Sequence, residues 1–144
     1  MPAVPVMQLD ARNQEVLIRH VTAETAFDME GTLATLTEDC LFEDVPTGEA
    51  HRGREAVRAY YGKWWRAFRN VPSGSRRHVA APDLLIVETR FVGKHEGEFN
   101  GVPASGRPID LPVTIFVSFR DGLMSGERFY YDALTLMTQI GARS

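Results

Sequence analysis

His20 and Glu24 stand four residues apart in a stretch whose apolar residues recur at spacings of three and four. On a helix such a pair shares one face and can touch. If buried, both must find hydrogen-bond partners. They therefore read as a dyad that tunes His20 inside a pocket, or as a satisfied structural pair. Asp44 precedes Pro46-Thr47-Gly48, where a carboxylate can cap a turn. Arg128, Tyr130 and Asp132 alternate, and they share one face if their strand is regular. Asp132 is also well placed to cap a following helix. His20, His51, His78 and His95 are scattered without ligand spacing, so no metal site is expected. Cys40, the single cysteine, excludes an internal disulfide and reads as a buried structural thiol. No glycine loop of the nucleotide-binding type is present. Any chemistry is thus expected to need no metal or organic cofactor.

The elements that must position these residues follow from periodicity. Val16, Leu17, His20, Val21, Glu24 and Phe27 fall on one helical face. Asp28 suits the cap of a second, shorter helix carrying Met29, Leu33 and Leu36. A short strand is expected over residues 40–45. The clearest helix spans residues 54–68, with Val57, Tyr60, Tyr61, Trp64, Trp65 and Phe68 as a wide apolar stripe. Such a stripe packs on a sheet, and Tyr61, Trp64 and Phe68 can also border a pocket. Residues 70–74 should break that helix. The second half reads as strands at 84–92, 109–119 and 124–131, with a long hairpin connection at 96–107 and an Asp121-Gly122 turn. A final helical turn or two is expected at 133–140, ended by Gly141.

Helices first and antiparallel strands later imply a single α+β domain of 144 residues. A curved sheet over a helix leaves a cavity where the two surfaces diverge, the default place for a small ligand. The net charge of -3 gives no basic footprint for nucleic acid. No apolar run is long enough for a bilayer, and residues 1–10 do not read as a secretory signal. A cytoplasmic protein is expected.

Three stretches resemble a known group: Arg19 to Gly31; Leu41 to Gly48 with Gly53-Arg54-Glu55-Ala56-Val57 and Tyr60-Tyr61; and Gly93 to Gly101 with Gly106-Arg107, Asp121-Gly122, Tyr131-Asp132 and Gln139-Ile140-Gly141. The pattern is similar to that of the SnoaL-like polyketide cyclases, in the nuclear-transport-factor-2-like superfamily. The resemblance implies a cone, with a curved antiparallel sheet wrapped around N-terminal helices and a deep pocket. It also implies cofactor-free proton transfer next to a carbonyl in a small apolar, ring-containing substrate, and a homo-oligomer, most simply a dimer. The alternatives are a non-catalytic binder or an epoxide-hydrolase-like enzyme. The latter is weakened because no Arg-x-Asp lies on a middle strand.

The resemblance places Asp132 where the cyclases carry their acid/base. The run Phe42-Glu43-Asp44 is similar to the one holding the base of ketosteroid isomerases, and His20 falls where those enzymes carry an oxyanion donor. An apolar residue near Ile115 stands where they carry their second donor. Asp132, Asp44 and His20 are therefore the expected catalytic groups. Glu24, Tyr61, Trp64, Phe68, His95, Arg128 and Tyr130 are the expected substrate contacts, with His95 near the pocket mouth or facing water.

Overall fold

The computed structural model describes residues 7–69, 71–72 and 77–142. The segment read as lacking a secretory signal lies outside these residues over 1–6. So does the expected helix break at 70–74, apart from 71–72. Helix α1 (Ala11–Thr25) starts at Asp10, whose side chain accepts from the Arg12 amide. Helix α2 (Met29–Leu33) starts at Asp28, which accepts from the Gly31 amide. Both caps satisfy amides that the first helical turn leaves without partners. Leu36, expected on α2, instead opens strand β1 (Leu36–Asp44), which starts four residues earlier than Cys40. A tight turn leads to β2 (Glu49–Arg52), and α3 (Arg54–Ala67) follows.

The remaining chain is mostly sheet. Strands β3 (Val71–Pro72), β4 (Arg77–Ala81), β5 (Leu84–Lys94), β6 (Pro108–Arg120) and β7 (Leu123–Tyr130) precede the closing helix α4 (Ala133–Gln139). The sheet order is β2-β1-β7-β6-β5-β3, with β4 also paired to β5, so the sheet does not close on itself. The mixed α+β architecture agrees with the sequence expectation. The purely antiparallel sheet does not, because β1 runs parallel to β7. A parallel pair needs a long crossover, and here everything between β1 and β7 supplies it. Strands β2, β3 and β4 are too short or too exposed to carry a clear alternation.

Strand β6 buries Ile109, Leu111, Val113, Val117 and Phe119 on the face its alternation marks. That face packs with Phe42 of β1 and Val57, Tyr60 and Tyr61 of α3 to form the core. Each such side chain, fully buried, contributes about 1.5–3 kcal/mol.

Strand β7 does not alternate simply. Ser118 pairs with Gly126 and Phe119 with Met124, which leaves Ser125 as an extra residue in the ladder. This bulge shifts the parity of the strand. A side chain at Gly126 would collide with the Leu41 carbonyl of β1, so only glycine lets the two strands meet there. Beyond the bulge, Glu127 and Phe129 face the core, and Arg128 and Tyr130 face outward.

Candidate active site

Helix α1 brings His20 and Glu24 to the inner face of β7, opposite Tyr61 of α3. His20 Nδ1 meets Thr35 Oγ1 at 2.7 Å, and the Thr35 hydroxyl donates to the Thr32 carbonyl at 2.6 Å. With its proton spent on Thr32, the Thr35 hydroxyl can only accept, so Nδ1 carries a hydrogen. That bond aims Nε2 at the acids: 3.2 Å from Glu24 Oε2 and 3.6 Å from Glu127 Oε1. The Tyr61 hydroxyl donates to Glu24 at 2.9 Å and lies 3.2 Å from Nε2.

The electrostatics follow from this geometry. Burial works to lower the His20 pKa, but the hydrogen bond and charge of Glu24 and the charge of Glu127 outweigh it, and the net shift is upward. Burial works to raise Glu24, and bonding to His20 and Tyr61 outweighs it, holding Glu24 below the usual range. Glu127 moves the other way. Burial pushes it up to about 8, with the Glu24 charge adding to the rise and the His20 charge opposing it. The cluster thus pairs a histidine drawn toward its protonated form and a glutamate held in its ionised form with a second carboxyl whose pKa is pushed up to about 8.

A second polar cluster lies on the same cavity. Asp44, only 3% exposed, accepts from the Tyr60 hydroxyl at 2.9 Å and from the Tyr131 hydroxyl at 2.9 Å to both oxygens. Burial first, and then the Asp44 charge, raise the pKa of both tyrosines, so their protons stay in place. Between the clusters is a cavity of about 90 Å³. Its walls include Tyr60, Trp64, Trp65, Phe91, Ile115 and Phe129, and Glu24, Tyr61, Glu127 and Tyr131 complete it. A larger surface cleft of about 510 Å³, bordered by Arg69, Lys94 and Asp110, is open and remote from both clusters.

The expected site residues divide accordingly. Glu24, Tyr61 and Trp64 line the cavity, and His20 and Asp44 are buried just behind its wall. Asp132 does not reach it. It is exposed and caps α4, accepting from the Leu134 and Thr135 amides at 3.0 and 3.3 Å. Its pKa is lowered by the bonds from Thr135 and Leu134, the opposite of a buried base. Arg128 and Tyr130 are on the outer face, because the β7 bulge reverses the parity that a regular strand would have. There Arg128 pairs with Glu43 at 2.9 Å. Phe68 is fully buried against Trp64, Phe99 and His95, behind the cavity wall. His95 is neither at the mouth nor in water. It is fully buried, with Nδ1 accepting from the Ser105 amide at 3.2 Å. Glu127 was missed, although Phe129 two residues on is the apolar signal for its face.

A profile of the SnoaL-like polyketide cyclases matches residues 14–140. The chain belongs to that family. Solved SnoaL-like structures superpose over nearly the whole chain. A candidate SnoaL-like polyketide cyclase from Jannaschia sp. CCS1 is 24% identical, with a TM-score of 0.83, covering 100% of this chain and 99% of its own. A candidate polyketide cyclase from Xanthomonas campestris pv. campestris is 22% identical, with a TM-score of 0.81, covering 90% and 97%. A protein with a ketosteroid isomerase-like fold from Catenulispora acidiphila, in complex with trimethylamine, is 16% identical, with a TM-score of 0.74, covering 90% and 94%. Among curated proteins, none matches the chain by sequence. At these identities the structural likeness shows the fold, and the chemistry rests on this chain's own residues. Among the described residues no helix is long and apolar enough to cross a membrane.

This SnoaL-like cavity also contains a set of donors that could hold a cation. His20 Nε2 and one oxygen each of Glu24 and Glu127 lie within 4.8 Å of one another. A histidine whose second nitrogen is anchored, as Nδ1 is here, is the usual arrangement at a metal.

Proposed function

We propose that this protein is a cofactor-free acid/base enzyme, which moves a proton next to a carbonyl in a small substrate, with Glu127 as the base. The carrying observation is that Glu127 reaches the cavity from β7 with its pKa pushed up to about 8. A base is most effective when its pKa lies near the working pH. In its ionised form Glu127 takes the proton from the carbon, and the electron pair of the broken C–H bond moves to the carbonyl oxygen. Tyr61 lines the cavity and can turn its O–H toward that oxygen while His20 keeps its bond to Glu24, and His20, whose protonated form the two acids favour, supports the added negative charge. Glu127 then returns the proton to a different carbon, completing an isomerisation, or the enolate carbon attacks a second carbonyl of the same molecule and Glu127 gives its proton to the alkoxide so formed, closing an aldol-type ring. Family membership supports this reaction class. The cavity volume favours a compact substrate with an apolar body. The protein is further proposed to act in the cytoplasm as a homo-oligomer.

The test is exchange of α-hydrogens for deuterium in a panel of small ketones, followed by nuclear magnetic resonance. Wild-type protein should accelerate exchange, and Glu127→Gln should not. Dialysis against a chelator should leave the rate unchanged; loss of exchange would make the His20, Glu24 and Glu127 donors a metal site instead. If wild type exchanges nothing while still binding ligands, the protein is a binder and not an enzyme.

A further inference from the structure

The Asp44 cluster has a property that its hydrogen bonds determine. Tyr60 and Tyr131 both belong to the cavity lining, and both spend their only hydroxyl proton on the Asp44 carboxylate. A phenol has one donor and no more. Each oxygen therefore keeps only lone pairs for the cavity, and at Tyr60 Trp64 already donates to one of them, which leaves Tyr131 as the freer acceptor. Donation to a carboxylate also polarises the phenol and makes its oxygen a better acceptor. A ligand that offered an acceptor here would have to draw a tyrosine proton away from Asp44. Among the described residues Asp44 has no ion-pair partner, so that proton would leave a buried carboxylate oxygen underserved. The opposite wall has the reverse character: Tyr61 donates to Glu24, which His20 also serves, so its O–H can turn to a ligand without stranding that carboxylate.

We propose that the substrate is a hydroxyketone, with its carbonyl toward Glu127 and its hydroxyl donating to the Tyr131 oxygen, which Asp44 fixes as an acceptor. This rests on the proton-transfer reading for the carbonyl end alone. The hydroxyl end stands on the tyrosine geometry. Asp44 does not touch the ligand and is a positioning residue, which sets the direction of two hydrogen bonds.

The experiment uses two matched pairs on the full chain: 4-hydroxybutan-2-one against 4-methoxybutan-2-one, and 4-hydroxycyclohexanone against 4-methoxycyclohexanone. The methyl ether keeps the oxygen and removes the donor. Binding is read by tryptophan fluorescence, since Trp64 meets the Tyr131 ring at 5.8 Å. Wild type should bind at least one hydroxyl compound about tenfold tighter than its ether, the discrimination of one good hydrogen bond. Tyr131→Phe should bring that ratio close to one. Asp44→Asn is the sharper variant. Its amide can accept from one tyrosine and must donate to the other, which frees a phenol proton for the ligand. The preference should then move toward the ether. Circular dichroism establishes that each variant is folded. Equal binding of both members of both pairs by wild type, no binding of any probe, or a ratio unchanged in Tyr131→Phe and Asp44→Asn would each overturn the proposal. Hydroxyl preference without α-hydrogen exchange sinks the proton-transfer reading alone, and exchange without hydroxyl preference sinks this one alone.

Discussion

Asp44 and Glu127 are both buried carboxyl groups on inner strand faces of one cavity, yet their surroundings prepare them for different work. Asp44 is held by two tyrosine hydroxyls bonded to its two oxygens. Glu127 meets His20 at 3.6 Å, a longer approach, and shares that histidine with Glu24. Two acids around one cation cannot both be fully compensated. Glu24 takes the close bond and ionises, and Glu127 is left with a raised pKa. Reactivity here comes from being the second carboxyl in line, whereas a carboxyl bonded at both oxygens by hydroxyl donors becomes part of the wall.

The largest effect that would break this comparison is on catalysis. Glu127→Gln should cut α-hydrogen exchange by roughly 10²–10⁴-fold, the usual worth of a positioned acid/base, while Asp44→Asn should cut it far less. The reverse order would make Asp44 the base. On stability, His20→Ala should cost about 3–5 kcal/mol in urea unfolding, because it leaves the half-buried Glu24 carboxylate without its charge partner. A loss well below that would mean that the cluster is wetter than its burial indicates.

The pH dependence sharpens the comparison further. Glu127 has a folded pKa of about 8, above the ordinary glutamate value of 4.5. The folded state therefore holds a proton that the unfolded chain has already released, and stability falls as pH rises between those values. His20 is also raised, so the stability it contributes below its unfolded pKa is likewise lost as pH rises through its folded one. Glu24 is lowered, and the stability it contributes is present above its unfolded pKa and is lost only in acid. The melting temperature of wild type should decline from pH 5 to about 8. Glu127→Gln should decline less over that range, and the rate of exchange in wild type should rise toward pH 8. The smallest effect is at Asp132, where Ala substitution should lower the melting temperature slightly through the lost cap and leave exchange unchanged.

Much of this was legible in the chain. The stripe on α3 and the alternation on β6 each obey one period over many residues, so their buried faces could be read directly. The His20–Glu24 pair was legible for the same reason, because helical spacing does not depend on a partner. Asp132 gave two readings, cap or base, and only the fold separates them: the strand ends before Asp132, and the chain turns outward into α4. Glu127 was hidden because β7 does not keep one parity. The bulge at Ser125 is set by how β1 and β6 meet β7, which is a tertiary fact. His95 was hidden differently, since a histidine in a polar, glycine-rich connection gives no apolar pattern to mark it as buried.

The same bulge has a consequence for how such a pocket could change over generations. In a strand, adding or removing one residue acts on side-chain direction as a frameshift acts on codons, inverting everything downstream at once. Here the ladder absorbs Ser125 as a bulge, so the residues on either side of it keep their pairing with β6 while the numbering of the inward positions changes parity. If the residue were instead drawn into a regular ladder, Arg128 would replace Glu127 inside and Tyr130 would replace Phe129. The cavity would exchange a proton donor for a guanidinium and become a receptor for anions. A single loosening of the strand, with no substitution at any lining position, would thus be enough to reverse the sign of the pocket's preferred guest.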